Sequence, residues 1–274
     1  MRIVVLSSSS YSETGCAMAV RMARLGHVPV GALVLSTFDR RTLLRKMGQW
    51  GVRGAIRYAR TKVNYGNGGG HQRVNNPHLE SLLTYKSGVF RNFREVSAFY
   101  DFPLAVCANQ NDPEAVAQLK KWSPDVLIFT GGNILRKQVL NIPRLGVLNA
   151  HLGLLPEVRG MSSVEWSLLN GVPVGVTVHY MDAGIDTGPI LLRSEFPEGA
   201  RCESLADLRN RLIAFGIEKM GEVVVGLDRG TIGPTPQSDL ETDRQFFVMH
   251  DWLRTKAAEK LANGCVAAVA SPHE

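Results

Sequence analysis

Two polar side chains, Asn149 and His151, stand two residues apart at the end of an apolar run. Side chains at positions i and i+2 of a β-strand point to the same face, so an amide and an imidazole would project together from a strand end. Open α/β sheets hold their ligands at such ends. Further along, the Gly-rich loop 182–188 contains two carboxylates, one of them Asp186. An amide, an imidazole and a carboxylate that converge are the groups that acyl transfer requires.

The segments before this stretch predict a parallel α/β fold. Residues 2–6 form a β-branched run, residues 14–25 follow a helical pattern, and residues 28–35 are typical of a second buried strand. This succession is a βαβ unit. The loop that follows its first strand is rich in serine and has no GxGxxG motif, so the sequence does not predict a dinucleotide site. Ser12 is expected to cap the helix.

A second candidate ligand site follows the predicted strand 125–130. That strand runs directly into Gly131 and Gly132. Two glycines at the carboxyl end of a strand let a ligand approach the backbone closely. A plain tight turn explains the pair equally well, and the local sequence does not separate the two interpretations.

The composition is that of an ordinary globular protein, with 274 residues, 45% hydrophobic and 20% charged. The apolar run at the start is too short for a signal sequence or a membrane span, which favours a cytoplasmic protein. The cysteines at 16, 107, 202 and 265 have no CxxC or Cys/His spacing. The sequence therefore predicts reduced thiols and no metal site.

The chain is basic, with a formal net charge of +6. Segment 40–62 carries eight Lys and Arg residues, interleaved with apolar ones as on an amphipathic helix. A solvated helix face is the commoner explanation of such a run. The functional alternative is a surface that contacts a phosphate-bearing acceptor or packs as a lid. A helix is also expected over residues 79–100.

The order of three motifs resembles a known family. Asn149-Ala150-His151 and the Leu-Leu-Pro turn come first, and the Asp-x-Gly-x-Asp loop 182–186 follows. This order is similar to the catalytic core of the 10-formyltetrahydrofolate-dependent formyltransferases, which include the glycinamide ribonucleotide, methionyl-tRNA and nucleotide-sugar enzymes. The resemblance is strong over residues 104–193 and only topological before them.

The resemblance implies an α/β, Rossmann-like formyltransferase fold with a mostly parallel central sheet, helices on both faces and a short C-terminal extension. The catalytic domain is expected to span 1–228, with a basic helical insertion near 39–100. The extension would then occupy residues 229–274. Helix 203–227 and this extension are candidate elements of a homodimer interface.

The resemblance also implies the site residues. Asn149 and His151 would stabilise the oxyanion, and Asp186 would hold His151 and relay protons. The formyl donor, 10-formyltetrahydrofolate, would contact backbone and side chains of two loops. The expected cofactor-binding residues are Gly132, Asn133, Ile134, Leu135, Asp182, Ala183 and Gly184.

The function that this implies is transfer of a formyl group from 10-formyltetrahydrofolate to the primary amine of a small, phosphorylated acceptor. A nucleotide-linked amino sugar or a secondary-metabolite intermediate would suit. The alternatives are a methionyl-tRNA-type or glycinamide-ribonucleotide-type enzyme, or a 10-formyltetrahydrofolate hydrolase. The chain lacks the Gly-Ser-Asn phosphate loop of the glycinamide ribonucleotide enzymes, and too few residues follow the core for the RNA-binding barrel of the methionyl-tRNA enzymes.

A protein of another class would bind RNA through the basic helix. Salt-sensitive RNA binding would favour that class. The sequence shows no aromatic stacking platform for bases, so a nucleic-acid partner is not expected. No membrane partner is expected either, because the apolar run at the start is too short for a membrane span.

Overall fold

The computed structural model describes residues 1–36, 48, 51, 53–54, 75–86, 88–197, 202–237 and 244–264. Most of the basic segment 40–62, with its predicted helix, therefore lies outside the described residues. The same holds for the predicted insertion near 39–100 as far as residue 74, apart from the isolated positions 48, 51, 53 and 54.

Strands and helices alternate along most of the described chain. The strands are β1 (Ile3–Ser7), β2 (Gly31–Leu35), β3 (Thr84–Tyr85), β4 (Gly88–Val89), β5 (Leu104–Cys107), β6 (Val126–Phe129), β7 (Gly146–His151), β8 (Arg159–Gly160), β9 (Gly175–Tyr180), β10 (Ile190–Glu195) and β11 (Gln245–Phe246). The helices are α1 (Glu13–Arg24), α2 (Glu80–Leu83), α3 (Phe93–Tyr100), α4 (Pro113–Trp122), α5 (Lys137–Leu140), α6 (Ser163–Asn170), α7 (Leu205–Arg229) and α8 (Asp251–Ala262), with a 3₁₀ turn at Pro77–Leu79.

The chain divides into two compact units. The N-terminal unit comprises residues 2–124 and 130–142. Its strands β1, β2 and β5 pair in parallel, and β1 is buried along its whole length. Helix α1 connects β1 to β2, as the predicted βαβ unit requires. Ser12 caps this helix, because its hydroxyl accepts the amide hydrogen of Gly15 at 3.1 Å.

The C-terminal unit comprises Met1, residues 125–129 and residues 143–274. Strand β7 pairs in parallel with β6 and antiparallel with β9, and β9 pairs antiparallel with β10. Helix α7 packs on β7, β9 and β10. Gly216 of α7 faces Ala150 and Val176, which places this part of the helix against β7 and β9.

The predicted extension packs within the C-terminal unit. Strand β11 pairs in parallel with β8, and α8 packs on α6. Lys260 of α8 donates to the Leu169 carbonyl at 2.9 Å. The predicted boundary between a catalytic domain and an extension at residue 228 stays a prediction.

The predicted helix over residues 79–100 is wrong in its middle. The chain forms α2, then the short β3–β4 hairpin, and only then α3. Tyr85 and Phe90 stack across this hairpin with ring centroids 4.3 Å apart. Aromatic pairs of this kind stabilise antiparallel strands, which explains why tertiary packing overrides the helical pattern here.

Parallel strands and connecting helices confirm the predicted α/β class, with a mostly parallel sheet. Within the described ranges, no helix combines the length and the apolar character that crossing a membrane requires.

Candidate functional site

Strand β7 carries Asn149 and His151 at alternate positions, as the sequence predicts. On β9, Asn149 lies opposite His179 and His151 lies opposite Thr177. Thr177 is buried, and its hydroxyl both donates to the Gly153 carbonyl at 2.8 Å and accepts from the Leu155 amide at 3.0 Å. These two bonds hold the Leu-Leu-Pro turn that follows β7.

His151 is 6% exposed, and one of its ring nitrogens is committed to the backbone. Its Nε2 lies 2.8 Å from the Val158 carbonyl oxygen, which can only accept a hydrogen bond. Nε2 therefore carries the proton of the neutral ring. The other nitrogen, Nδ1, lies 3.4 Å from Oδ2 of Asp186 and is the atom left for chemistry.

Burial sets the protonation of His151. Desolvation lowers its pKa below the ordinary value, because it disfavours the imidazolium. The nearby Asp186 carboxylate and the Val158 carbonyl act in the opposite direction but do not reverse the shift. At neutral pH the ring is therefore neutral, with a lone pair on Nδ1 that faces Asp186.

Asp186 is held in an uncommon backbone conformation, with φ at 54°. Its Oδ2 accepts the Gly160 amide hydrogen at 2.9 Å. Burial alone would raise the pKa of this carboxyl, but the neighbouring rings of His179 and His151 and the hydrogen bond from the Gly160 amide together hold the pKa below its usual value. The group is therefore a carboxylate at neutral pH.

His179, which is not among the predicted site residues, also lies in this cluster. Its Nδ1 lies 2.8 Å from the Tyr180 carbonyl and must donate to it. Its Nε2 lies 3.3 Å from the Asn149 side-chain nitrogen and 3.5 Å from Oδ1 of Asp186. In the tautomer that has its proton on Nδ1, Nε2 accepts one amide hydrogen of Asn149, which orients that amide and leaves its second N–H for a ligand.

A signal for His179 is present in the sequence. Thr177 and His179 are polar residues at alternate positions of an otherwise apolar strand, and both are buried. Buried polar groups in a strand require partners, so this alternation indicates a polar cluster. Identifying Asn149 as a partner also requires the register between β7 and β9.

Hydrogen bonds within the loop 182–188 hold its conformation. Oδ1 of Asp182 accepts the Gly184 amide hydrogen at 3.0 Å and the Thr187 hydroxyl hydrogen at 2.7 Å. A side chain on Gly188 would collide with the Tyr180 carbonyl. The predicted cofactor-binding residues on this loop, Asp182, Ala183 and Gly184, are all exposed. Since Asp182 already holds the loop together, backbone groups are what the segment offers to a ligand.

The other predicted cofactor loop lies in the N-terminal unit and is built around the buried Gln110. The Asn133 amide donates to Oε1 of Gln110 at 3.0 Å, and the Asn133 side-chain oxygen accepts the backbone amide hydrogen of Gln110 at 3.2 Å. A side chain on Gly132 would collide with Gln110. Ile134 is 89% exposed whereas Leu135 is 5% exposed. The backbone and Ile134 are thus open to a ligand, while Leu135 belongs to the core.

Among the residues that the structure describes, no three His, Cys, Asp or Glu side chains are grouped as metal ligands would be. The cluster described above in the C-terminal unit consists of one amide, two imidazoles and one carboxylate. It can donate a hydrogen bond from Asn149, accept a proton at Nδ1 of His151, and stabilise the resulting charge with Asp186.

Sequence comparison relates the chain that carries this site to known enzymes. The family profile described as Formyl transferase matches residues 83–224, more than half of the chain. A methionyl-tRNA formyltransferase of Pelobacter propionicus is 34% identical over 148 residues, which are 53% of this chain and 46% of that protein. The chain spans about half the length of the curated relatives it matches.

Solved structures share the fold. A phosphoribosylglycinamide formyltransferase from Anaplasma phagocytophilum matches with a TM-score of 0.55 and 17% identity, over 90% of this chain and 99% of that chain. An N-formyltransferase from Helicobacter canadensis matches with a TM-score of 0.51 and 12% identity, over 90% of this chain and 70% of that chain. These matches confirm the predicted Rossmann-like fold. The profile match over more than half of the chain shows that it belongs to the formyl transferase family.

Proposed function

We propose that this protein transfers a formyl group from 10-formyltetrahydrofolate to the primary amine of a small, anionic acceptor. The observation that carries the proposal is the cluster of Asn149, His151, His179 and Asp186, in which one amide N–H and one imidazole nitrogen remain for a substrate. Family membership supports the reaction class. The Helicobacter canadensis enzyme was solved with folinic acid and dTDP-3-aminofucose, which supports a folate as the donor and a nucleotide-linked amino sugar as the acceptor.

Asn149 is the proposed oxyanion donor. When an amine attacks the formyl carbon, the carbonyl oxygen acquires negative charge and needs a preplaced hydrogen-bond donor. The Asn149 amide is oriented by His179 before substrate binds, so it does not have to reorganise during the reaction. A donor of this kind contributes about 3 kcal/mol to lowering the barrier.

His151 and Asp186 are the proposed proton relay. The new C–N bond to the acceptor forms with loss of a proton from the amine, and Nδ1 of the neutral His151 takes that proton. The imidazolium is stabilised by the Asp186 carboxylate 3.4 Å away. The same proton then passes to the folate nitrogen as its bond to the formyl carbon breaks, which restores the neutral ring.

Two backbone segments, 132–134 and 182–184, are each a proposed contact for the folate. Both segments have backbone that a planar ring can approach, and the exposed Ile134 offers an apolar surface. These residues fit a pterin, whose edge is read by amides and carbonyls. When bound, 10-formyltetrahydrofolate supplies the formyl group.

A second acceptor, methionyl-tRNA, is favoured by the names of the curated relatives. Those relatives are about twice as long as the part that this chain matches. A small acceptor is the first choice here, because the Helicobacter canadensis enzyme was solved with dTDP-3-aminofucose.

The test uses the purified full chain with 10-formyltetrahydrofolate and a panel of amines that comprises nucleotide-linked amino sugars, glycinamide ribonucleotide, amino acids and methionyl-tRNA. Mass spectrometry of the products is expected to find formylation of a small amine, with folate turnover dependent on that amine. Asn149→Ala, His151→Ala and Asp186→Ala should each reduce kcat by about a hundredfold or more. Thr231→Val, which removes a hydroxyl that donates to the Gly226 carbonyl, should retain activity.

Each alternative has its own signature in this assay. Formylated methionyl-tRNA as the sole product would replace the small acceptor with tRNA. Folate turnover without any amine would assign a hydrolase. Salt-sensitive RNA binding without turnover would favour the RNA-binding class. Full activity of His151→Ala would overturn the proposed relay.

A further inference from the structure

The chain that follows α7 contacts Asp186 through the side chain of Gln237. The Gln237 Nε2 donates one hydrogen to the Asp186 backbone carbonyl at 2.9 Å and the other to the Gly188 carbonyl at 2.7 Å. Both amide hydrogens are therefore committed to the loop that carries Asp186. Gln237 is held at this position by Thr235, which exchanges two backbone hydrogen bonds with Ile190 at the start of β10, each 2.8 Å long.

A second part of the same C-terminal chain supports the Asp186 side chain indirectly. Strand β11 pairs with β8, and the Phe246 carbonyl accepts the Met161 amide hydrogen at 2.9 Å. This pairing fixes the backbone of Gly160, whose amide donates to the Asp186 carboxylate. The chain beyond residue 229 thus reaches Asp186 at its carbonyl directly and at its carboxylate through β8.

Asp186 needs such support because of its backbone. Its φ of 54° lies in the left-handed region, which is unfavourable for a non-glycine residue by about 1 kcal/mol or more. The conformation persists only if neighbouring groups over-determine it. If the loop relaxed toward an ordinary conformation, the carboxylate would move away from Nδ1 of His151.

We propose that Gln237 is a positioning residue that holds Asp186 in the geometry required for proton relay. The inference rests on the proposed function, because it assigns Gln237 to the formyl-transfer site. The hydrogen bonds of Gln237 to the loop go only to backbone oxygens in the described structure, so its effect passes through the orientation of Asp186.

The titratable groups around Asp186 determine how a displacement can be detected. Among the described residues, His151 faces it from β7 and His179 from β9, and both lie within 3.5 Å of its carboxylate. Asp182 belongs to the same loop, but its carboxylate is bonded to Gly184 and Thr187. His151 is thus a reporter for the position of the Asp186 charge.

The first experiment compares Gln237→Met with Thr231→Val in the full chain. Methionine preserves the length of the side chain and removes both donors. The control removes a hydroxyl in the same part of the chain, which donates to the Gly226 carbonyl at 3.3 Å and not to the loop that carries Asp186. Gln237→Met is expected to lower kcat about tenfold or more, with KM for the folate within about twofold of wild type. Equal kcat in both variants, at comparable thermal stability, would overturn the proposal.

The second experiment uses Gln237→Glu and the pH dependence of kcat. The introduced carboxylate cannot donate to the Asp186 and Gly188 carbonyls, but its protonated form can donate one hydrogen bond. The ratio of its kcat to that of wild type should therefore rise as the pH falls from about 8 to about 5.5, since carbonyl oxygens favour the protonated carboxyl. The same ratio for Gln237→Met should not change with pH. Parallel profiles for the two variants would contradict positioning by donated hydrogen bonds.

The third experiment does not depend on turnover. Removal of the Asp186 charge from His151 should lower the pKa of that histidine further, because the carboxylate raises it. The NMR titration of His151 should therefore shift to lower pH in Gln237→Met, in the direction that Asp186→Asn also produces, and should not shift in Thr231→Val. If the wild-type protein does not transfer formyl groups, the proposed function is refuted. If the His151 titration does not shift in Gln237→Met, the proposed role of Gln237 is refuted.

Discussion

At the scale of single residues, the site is organised by two backbone carbonyls. Each histidine donates one ring N–H to a carbonyl, His151 to Val158 and His179 to Tyr180. The opposite nitrogens, Nδ1 and Nε2, are thereby turned toward Asp186 and Asn149. The tautomers follow from the chemistry of the carbonyl, which cannot donate. The cluster is therefore preorganised by its own backbone, before any ligand binds.

Substitution of His179 tests this preorganisation. His179→Leu removes the acceptor that orients the Asn149 amide, so kcat should fall about tenfold to a hundredfold through poorer oxyanion stabilisation. His179→Gln, whose side-chain oxygen can accept the same hydrogen bond, should retain more activity. Steady-state kinetics of both variants, with urea unfolding to confirm folding, provides the measurement. Wild-type kcat in His179→Leu would assign His179 to a purely structural role.

The sequence predicts Asn149 and His151 as a pair because strand periodicity is a local property. His179 is different, since its contact with Asn149 depends on the register of β9 against β7. That register is determined by pairing between segments about 30 residues apart, which a single sequence does not display. The charge state of His151 likewise depends on burial by the folded chain.

At the scale of elements, β8 and β11 approach so closely that only glycine fits between them. Gly160 has a φ of 96°, and a side chain there would collide with the Phe246 carbonyl. The indole nitrogen of Trp166 donates to the Phe247 carbonyl at 3.0 Å, and the Trp166 ring stacks on Phe246. Strand β11 is thus bound to β8 and to α6, the elements that follow the Leu-Leu-Pro turn.

Gly160→Ala should therefore destabilise the fold by more than the backbone strain of an alanine at positive φ. The matched control is Gly230→Ala, at a φ of 68° with nothing within 4 Å of the added methyl group. The control should cost about 1 kcal/mol of unfolding free energy from backbone strain. Gly160→Ala should cost at least about 1 kcal/mol more, because β11 must move. Urea unfolding measures both values, and equal losses would mean that the β8–β11 contact is easily relaxed.

The elements differ in how far the sequence predicts them. Helix α7 follows from periodicity, because it buries one face over several turns. Strand β7 follows from its apolar run, which ends in the alternating Asn149 and His151. The β3–β4 hairpin does not, since the stretch 79–100 as a whole follows a helical pattern and the stacking of Tyr85 on Phe90 forms only in the folded chain. The β8–β11 pairing is two residues long and joins segments more than 80 residues apart, so no local pattern indicates it.

At the scale of the whole molecule, a buried neutral histidine links the site to overall stability. The pKa of His151 is lowered from an ordinary value of 6.5 in the folded chain. Below pH 6.5 the unfolded chain therefore binds a proton that the folded chain resists, and acid favours unfolding. Asp186, whose pKa is also lowered, acts in the same direction, but only near and below its ordinary value of 3.8.

Between pH 5 and 8, the contribution of His151 can thus be separated from that of Asp186. His151 stabilises the fold fully above pH 6.5, and wild type should lose up to about 1.4 kcal/mol per pH unit as the pH falls below that value. His151→Gln has no such proton to bind, so its unfolding free energy should fall less steeply. Urea unfolding of both proteins at pH 5, 6, 7 and 8 should give a difference in stability that shrinks on acidification. If the difference in unfolding free energy stays constant, His151 has the same pKa in the folded and unfolded chains. If the difference grows on acidification, the fold stabilises the imidazolium form of His151.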